Sequence, residues 1–195
     1  MQYLKVEEFA LNKLRNELDK RLFYHGIHHT FDVLLACQRI GMSEGISDDE
    51  MILLKTAALF HDMGFVVRYK GHEEESCKIA GSVLSGFGYS KSEISQICEM
   101  IMATQIPQSP QSHLGEIICD ADLDYLGRHD FEPISLSLYN ELIAYHFITN
   151  EEQWNRIQLN FLGLHRYFTK TAVFTREEKK QFQLVRIKEI VSTYS

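Results

Sequence analysis

The chain has 195 residues, of which 45% are hydrophobic and 24% are charged, and its formal net charge is -7 at pH 7. These values are typical of one globular domain with a sizeable core, and they exclude an intrinsically disordered chain. The acidic balance argues against broad contact with nucleic-acid phosphates, which requires a basic surface. No apolar run reaches the roughly 18 residues of a membrane-spanning helix. We therefore expect neither a nucleic-acid polymer nor a membrane among the partners.

The N-terminal segment, MQYLKVEEFALNKLRNEL, alternates charged and hydrophobic residues at helical spacing. It lacks the continuous apolar stretch of a signal peptide. The four cysteines of the chain are far apart in sequence and form no CxxC pair, which favours reduced thiols. Together these features predict a cytoplasmic protein.

Helical periodicity extends along most of the chain, which contains only three prolines and 11 glycines. Ser47, followed by three acids, predicts a helix start, and SKSE at 90–93 is typical of a capping box. Two prolines within 106–113 predict a loop, because each disfavours helix in the residue before it. Apolar stripes at intervals of three and four residues predict the helices. The predicted helices are 6–22, 28–42, 48–60, 73–84, one that starts near 90, 114–126, 131–147, 151–168 and 175–193.

No segment shows the alternation of polar and apolar residues that predicts a half-buried strand. The helix that ends at Phe60 is apolar almost all round, so we expect it to be the central helix. The sequence therefore predicts an all-α fold in a single domain covering 1–195.

One histidine of the second helix lies on the apolar stripe of that helix. His29 shares the stripe with apolar residues 4, 8 and 11 positions later, whereas His25 and His28 lie off it. We expect His29 to point into the core.

The segment DADLD at 120–124 offers three carboxylates. Asp122 falls on the same stripe as Ile118 and Leu126. Asp120 and Asp124 are rotated about 200° away, taking about 100° per residue. We expect Asp122 to point inward and the other two acids to point away from the core.

The apolar central helix ends in the adjacent pair His61 and Asp62. A buried carboxylate without a partner costs on the order of several kcal/mol. Adjacent helical residues point in different directions, so a shared ligand must lie off the end of the helix. A divalent cation held there together with His29 and Asp122 would supply the counter-charge and keep both histidines neutral as donors. The alternative is a set of hydrogen-bonded core residues without an ion.

Three short segments carry a resemblance to a known family. HTFDV at 29–33, FHDMG at 60–64 and ADL at 121–123 resemble the H…HD…D signature of the HD-domain superfamily. The similarity extends over about 24–127, and the helices of 131–195 would pack on that part. The resemblance implies a helical, metal-dependent phosphohydrolase, and it gives the metal ligands as His29, His61, Asp62 and Asp122.

The implied cofactor is one divalent metal ion: Mn, Fe, Co, Ni, Zn or Mg. Such an ion would polarise a phosphoryl oxygen and lower the pKa of a bound water for in-line attack on phosphorus. The implied substrate is a small phosphorylated molecule, a nucleotide or other metabolite, cleaved as a phosphomonoester or phosphodiester. The alternatives are a regulatory HD module that binds a nucleotide with slow or no turnover, and a structural protein with a polar core cluster.

A subgroup of the superfamily binds two metals through two further histidines. HEEESC at 72–77 resembles the setting of the first, but Thr104 stands where the second is expected. This departure favours a single ion. It leaves His72 and Glu73, beside Asp62, as the catalytic candidates, which would orient water or protonate the leaving oxygen. The alternative for the acids at 73–75 is a first turn stabilised by the helix dipole.

Two basic residues, Arg68 and Lys70, lie in the turn between the HD pair and the next helix. Arginine and lysine at this place could bind a substrate phosphate within reach of the metal. They are therefore the predicted substrate-binding residues, and the alternative is that both are solvated loop charges.

Overall fold

The computed structural model describes residues 1–194. Within this range the chain forms nine α-helices and three single-turn 3₁₀ helices, and no strand, which confirms the all-α prediction. No helix in the described range is both long and apolar enough to cross a bilayer. The α-helices are α1 Tyr3–Glu17, α2 Ile27–Glu44, α3 Asp48–Phe60, α4 His72–Val83, α5 Lys91–Ala103, α6 His113–Asp122, α7 Phe131–Ala144, α8 Glu151–Leu164 and α9 Lys170–Ser192.

Two helices begin with the capping boxes that the sequence predicts. The Ser47 hydroxyl accepts the N–H of Glu50 at 3.3 Å, and the Glu50 carboxylate accepts the N–H of Ser47 at 2.8 Å. Ser90 and Glu93 make the same reciprocal pair at the start of α5. Each box satisfies backbone donors that the first helical turn leaves unpaired.

The boundary between α8 and α9 differs from the prediction. Helix α8 ends at Leu164 rather than 168, and α9 begins at Lys170 rather than 175. The Thr169 hydroxyl caps α9 by accepting the N–H of Ala172 at 3.1 Å. The N–H of Thr169 in turn donates to the Asp120 carboxylate at 2.7 Å. Local periodicity carries no information on this long-range bond, which is why the predicted break, at 169–174, is displaced from the observed one, at 165–169.

The core consists of two hydrophobic clusters. The larger one surrounds α3, whose side chains from Leu53 to Phe60 include seven that are buried, so α3 is central as expected. The smaller one joins the turn after α6 to α7, α8 and α9. Ala121 belongs to the larger cluster and Leu123 to the smaller, so Asp122 lies at the boundary between the two.

The prediction that Asp120 and Asp124 point away from the core is wrong, because their relative exposures are only 0% and 4%. Asp120 accepts hydrogen bonds from the segment that leads into α9. Asp124 forms ion pairs with Arg39 and Arg176. The segment before α9 therefore covers Asp120, and α9 contributes the Arg176 side chain that pairs with Asp124 in the turn after α6.

Candidate functional site

Four side chains from three helices converge at one point. His29 projects from the first turns of α2, His61 and Asp62 follow the last residue of α3, and Asp122 is the last residue of α6. The first three are 6%, 1% and 6% exposed, and Asp122 is partly buried.

The donor atoms of the four side chains are close together. His29 Nε2 lies 3.3 Å from His61 Nε2 and 3.0 Å from Asp122 Oδ1. Asp62 Oδ2 lies 3.2 Å from His61 Nε2 and 3.4 Å from His29 Nε2. Ligand atoms bound at about 2.1 Å to one ion, at right angles, are about 3.0 Å apart. These separations therefore suit atoms that share one cation. His29, His61 and Asp122 form a candidate metal site. The fourth predicted ligand, Asp62, lies beside both imidazole nitrogens but is not part of that three-residue group.

Hydrogen bonding prepares these atoms as ligands. Nδ1 of His61 donates to the Ala58 carbonyl at 2.8 Å, so the lone pair of the neutral ring lies on Nε2, among the other donors. Asp62 Oδ2 is buried and lies 3.2 Å from His61 Nε2, but while Nε2 carries the lone pair no residue among 1–194 donates a hydrogen bond to this oxygen. A buried anionic oxygen without a partner is costly, and a cation at this point would remove that cost.

The pKa shifts of Asp62 and His61 also indicate that the site favours a positive charge. Burial raises the pKa of the Asp62 carboxyl, but His61 and His72 outweigh that effect and hold the pKa well below its usual range. Burial lowers the pKa of His61, yet Asp62 and Asp122 raise it well above its usual value. A divalent ion at this point would supply that positive charge and leave His61 Nε2 free for coordination.

The two further catalytic candidates lie beside this cluster. His72 Nδ1 donates to the Tyr69 carbonyl at 3.0 Å, and His72 Nε2 lies 3.2 Å from Asp62 Oδ1. Glu73 is buried, and its Oε2 has no hydrogen-bond partner among residues 1–194. Both side chains line the cavity next to the candidate metal site.

Thr104 also lines this cavity, at the position where a subgroup of the superfamily has a further histidine. Its hydroxyl donates to the Ile101 carbonyl at 2.8 Å. A hydroxyl engaged with the backbone of its own helix is a poor replacement for an imidazole ligand.

Sequence reasoning missed His25 and Glu141. His25 lines the cavity and stacks on Phe65 with ring centroids 4.4 Å apart. Glu141 is completely buried and accepts hydrogen bonds from His25 Nδ1 and from the Tyr69 hydroxyl. His25 precedes α2, so a helical stripe could not place it. The signal for Glu141 was a lone charge on the apolar face of α7, three residues after Leu138.

The predicted substrate-binding residues lie outside the cavity wall. Arg68 is exposed, and its guanidinium pairs with Glu74 at 3.0 Å and Glu75 at 2.9 Å. Lys70 is exposed, and its Nζ lies 5.4 Å from the centroid of the Phe147 ring. To bind a substrate phosphate, Arg68 would have to leave its two carboxylates. The role of these two residues stays a prediction.

A cavity of about 260 Å³ opens from the candidate metal site toward α7 and α8. Its polar end carries Asp62, His72, Glu73 and Asp122, and its walls beyond that end are mainly apolar. Concave, mostly apolar sites with a few convergent polar groups are typical of small-molecule binding. The arrangement therefore places a ligand cavity directly against the metal-binding side chains.

Comparison with solved structures identifies proteins of the same fold. A predicted HD superfamily hydrolase from an uncultured Thermotogales bacterium has a TM-score of 0.61 at 21% identity, covering 96% of this chain and 92% of its own. A protein from Lactobacillus plantarum has a TM-score of 0.66 at 17% identity, with coverages of 98% and 93%. YpgQ of Bacillus subtilis, solved in complex with ADP, has a TM-score of 0.63 at 19% identity, with coverages of 100% and 97%. At these identities the likeness concerns the fold.

Sequence comparison gives a more specific result. No curated protein matches the chain significantly. The sequence model of the HD domain family matches residues 26–124, slightly more than half of the chain. The matched range contains α2 to α6 and all four converging side chains. The chain therefore belongs to the HD domain family.

Proposed function

We propose that this protein is a metal-dependent phosphohydrolase that cleaves a phosphate ester of a small molecule. The observation that carries the proposal is the convergence around two imidazole nitrogens: His29 Nε2 and His61 Nε2 lie 3.3 Å apart, and each lies 3.0 to 3.5 Å from one carboxylate oxygen of Asp62 and one of Asp122. They lie at the end of a ligand cavity. Membership of the HD domain family supports the same reaction class.

His29, His61, Asp62 and Asp122 are the residues that would hold one divalent ion. Bound there, the ion would polarise a phosphoryl oxygen and lower the pKa of a water molecule. The protein contributes the fixed positions of these groups. The Ala58 carbonyl orients the His61 ring, and burial keeps competing water away from both imidazoles.

His72 is the proposed general acid. Its Nδ1 proton is held by the Tyr69 carbonyl, and Nε2 faces Asp62 Oδ1. Burial lowers the pKa of His72, but Asp62 and Glu73 raise it above its usual value. A protonated His72 at the cavity wall can pass the Nε2 proton to the leaving oxygen of an ester.

Glu73 is the proposed group that orients the attacking water. Its Oε2 lacks a hydrogen-bond partner among residues 1–194 although the side chain is buried. A free carboxylate oxygen on the cavity wall can accept a proton from water. Asp62 would link the metal to the general acid, because its Oδ2 lies beside the histidine nitrogens of the metal site and its Oδ1 lies beside His72.

Nucleotides belong in the substrate test, since YpgQ, which shares the fold, was solved with ADP. The decisive comparison is between Asp122→Asn and Asp49→Asn, a matched change on the exposed face of α3. We expect purified wild-type protein and Asp49→Asn to bind about one Mn²⁺ and to release phosphate or alcohol from chromogenic phosphomonoesters and phosphodiesters. Asp122→Asn should lose both properties, with metal affinity falling about 100-fold or more.

Equal metal content in the two variants would refute the metal site. Metal binding without turnover of any phosphate ester would instead favour a regulatory binding module.

A further inference from the structure

The polar groups of the cavity are concentrated at the candidate metal site. Away from that end, the wall carries the ring O–H or N–H groups of Tyr24, Tyr125 and Trp154 and two other polar side chains, Thr104 and Gln158. Thr104 and Gln158 are both engaged in hydrogen bonds within the protein. The Thr104 hydroxyl donates to the Ile101 carbonyl. Gln158 accepts from the Ser135 hydroxyl at 2.6 Å and donates to Asn155 at 3.1 Å. A ligand that extends away from the metal therefore meets aromatic and aliphatic surface, in which the remaining polar groups are single O–H or N–H groups of aromatic rings.

Apolar side chains form the rest of the wall. They come from the turn after α6 and from the facing sides of α7 and α8, and include Leu123, Leu126, Phe131, Leu138, Leu142, Trp154 and Phe161. The apolar surface continues to the solvent, because Ile106 and Ile157 line the cavity and are 53% and 46% exposed. Apolar surface of this kind binds apolar ligand groups, since both are then removed from water.

The charge of the cavity lining is a second, independent argument about the substrate. No lysine or arginine of residues 1–194 lines the cavity, while Asp62, Asp122 and Glu73 all do. Diphosphates and triphosphates are usually held by arginine or lysine side chains that balance their charge. Ribose hydroxyls placed against the apolar wall would lose water and gain few partners, which costs binding free energy.

We infer that the substrate is a phosphomonoester with a single phosphate and an apolar alcohol, aromatic or aliphatic, that lies between α7 and α8. This inference rests on the proposed function and specifies its substrate class. In the reaction, a water oxygen forms a bond to phosphorus and the phosphorus–oxygen bond to the alcohol breaks. One proton of the water goes to the leaving alkoxide, so that the products are the free alcohol and hydrogen phosphate.

The first test compares substrates that share the phosphate and differ in the alcohol. With Mn²⁺ present, we expect kcat/KM for hexyl phosphate and 1-naphthyl phosphate to exceed that for glycerol 3-phosphate and AMP by at least about tenfold. Equal or faster turnover of glycerol 3-phosphate, AMP or ADP would overturn the inference and leave the proposed function intact.

The second test substitutes an apolar residue of the cavity wall. Ile157→Gln places a polar amide at the cavity mouth, and Val185→Gln is the matched control, a 54% exposed residue of α9 that does not line the cavity. We expect Ile157→Gln to lower kcat/KM for hexyl phosphate about tenfold, through KM, and to leave glycerol 3-phosphate unaffected. Val185→Gln should behave as wild type. An equal effect of the two variants would contradict the assignment.

A third test needs no turnover. Trp154 is the single tryptophan of the chain and lines the cavity, so its fluorescence reports occupancy. We expect hexylphosphonate, which cannot be hydrolysed, to shift the emission of the Mn²⁺-loaded protein, and methylphosphonate to leave it unchanged. If no ester is hydrolysed but hexylphosphonate still binds, the proposed function fails and the apolar subsite stands. If both phosphonates give the same signal, the subsite fails.

Discussion

The Glu141 carboxylate lies 2.5 Å from Nδ1 of His25, although 116 residues separate the two in sequence. The same carboxylate accepts the backbone N–H of Tyr24 and of His25, at 2.8 and 3.0 Å, and the Tyr69 hydroxyl at 2.8 Å. One buried side chain of α7 thereby fixes the segment that precedes α2 and the turn that precedes α4. Both of these segments border the candidate active site.

Glu141→Gln should destabilise the fold. An amide can accept hydrogen bonds only through its oxygen, so its NH₂ group would face donors that Glu141 now satisfies. We expect the free energy of unfolding, measured with urea, to fall by about 3 kcal/mol. Glu132→Gln is the control on the same helix, where the carboxylate is exposed and pairs with Arg186. Its change should stay within about 0.5 kcal/mol. Similar losses in both variants would contradict the anchoring role.

Gly64→Ala should displace α4 from the site. A methyl group at Gly64 would lie 1.9 Å from the His72 carbonyl oxygen, which is backbone and cannot rotate away. We expect a loss of stability of at least about 2 kcal/mol and a lowered kcat. Gly81→Ala is the control inside α4, where nothing lies within 4 Å of the added carbon. It should be neutral or stabilising by up to about 1 kcal/mol. Melting curves of the two variants with equal midpoints would disprove the close approach.

His72→Gln should separate catalysis from metal binding. If His72 donates the proton to the leaving oxygen, its loss should lower kcat by about 10² to 10⁴ while metal content stays near that of wild type. His113→Gln, at an exposed histidine of α6, is the control and should keep full activity. Loss of metal together with activity in His72→Gln would point to a ligand rather than a general acid.

The stability of the protein should fall in acid partly because of His165. Burial, followed by the nearby Lys180 ammonium, lowers the pKa of His165 to about 4. Because the unfolded value is near 6.5, His165 contributes stability that is fully present above pH 6.5 and is lost as the pH falls through 4. The loss amounts to at most about 3 kcal/mol.

His165→Gln should remove this part of the acid sensitivity. Urea unfolding at pH 7 and pH 4.5 measures it, and the difference between the two should be smaller in the variant than in wild type. His113→Gln should retain the wild-type difference. A His165→Gln protein with an unchanged pH dependence would show that His165 does not stay neutral in the folded state.

Local periodicity predicted the parts of the site that lie on regular helices. His29 and Asp122 each stand on an apolar stripe, and the end of α3 marked His61 and Asp62. His25 escaped detection because it precedes α2, so no stripe applies to it.

The buried acids required knowledge of tertiary packing. Asp120 and Asp124 face the segment before α9 and the arginines Arg39 and Arg176, partners that lie tens of residues away. A stripe analysis treats both positions as solvent-exposed, whereas residues from distant parts of the chain cover them. Which residues cover Asp120 and Asp124 depends on how distant parts of the chain pack, so it could not be predicted from segment 120–124 alone.

Asp122 and Leu123 are adjacent, yet the first belongs to the candidate metal site and the second to the wall of the cavity. A substitution at Leu123 that alters the cavity wall would therefore also disturb the neighbouring metal-binding carboxylate of Asp122. Most of the remaining apolar wall comes from α7 and α8, which lie beyond the residue range matched by the HD domain family. Substitutions in these two helices would therefore reshape the cavity wall and leave the candidate metal ligands in place.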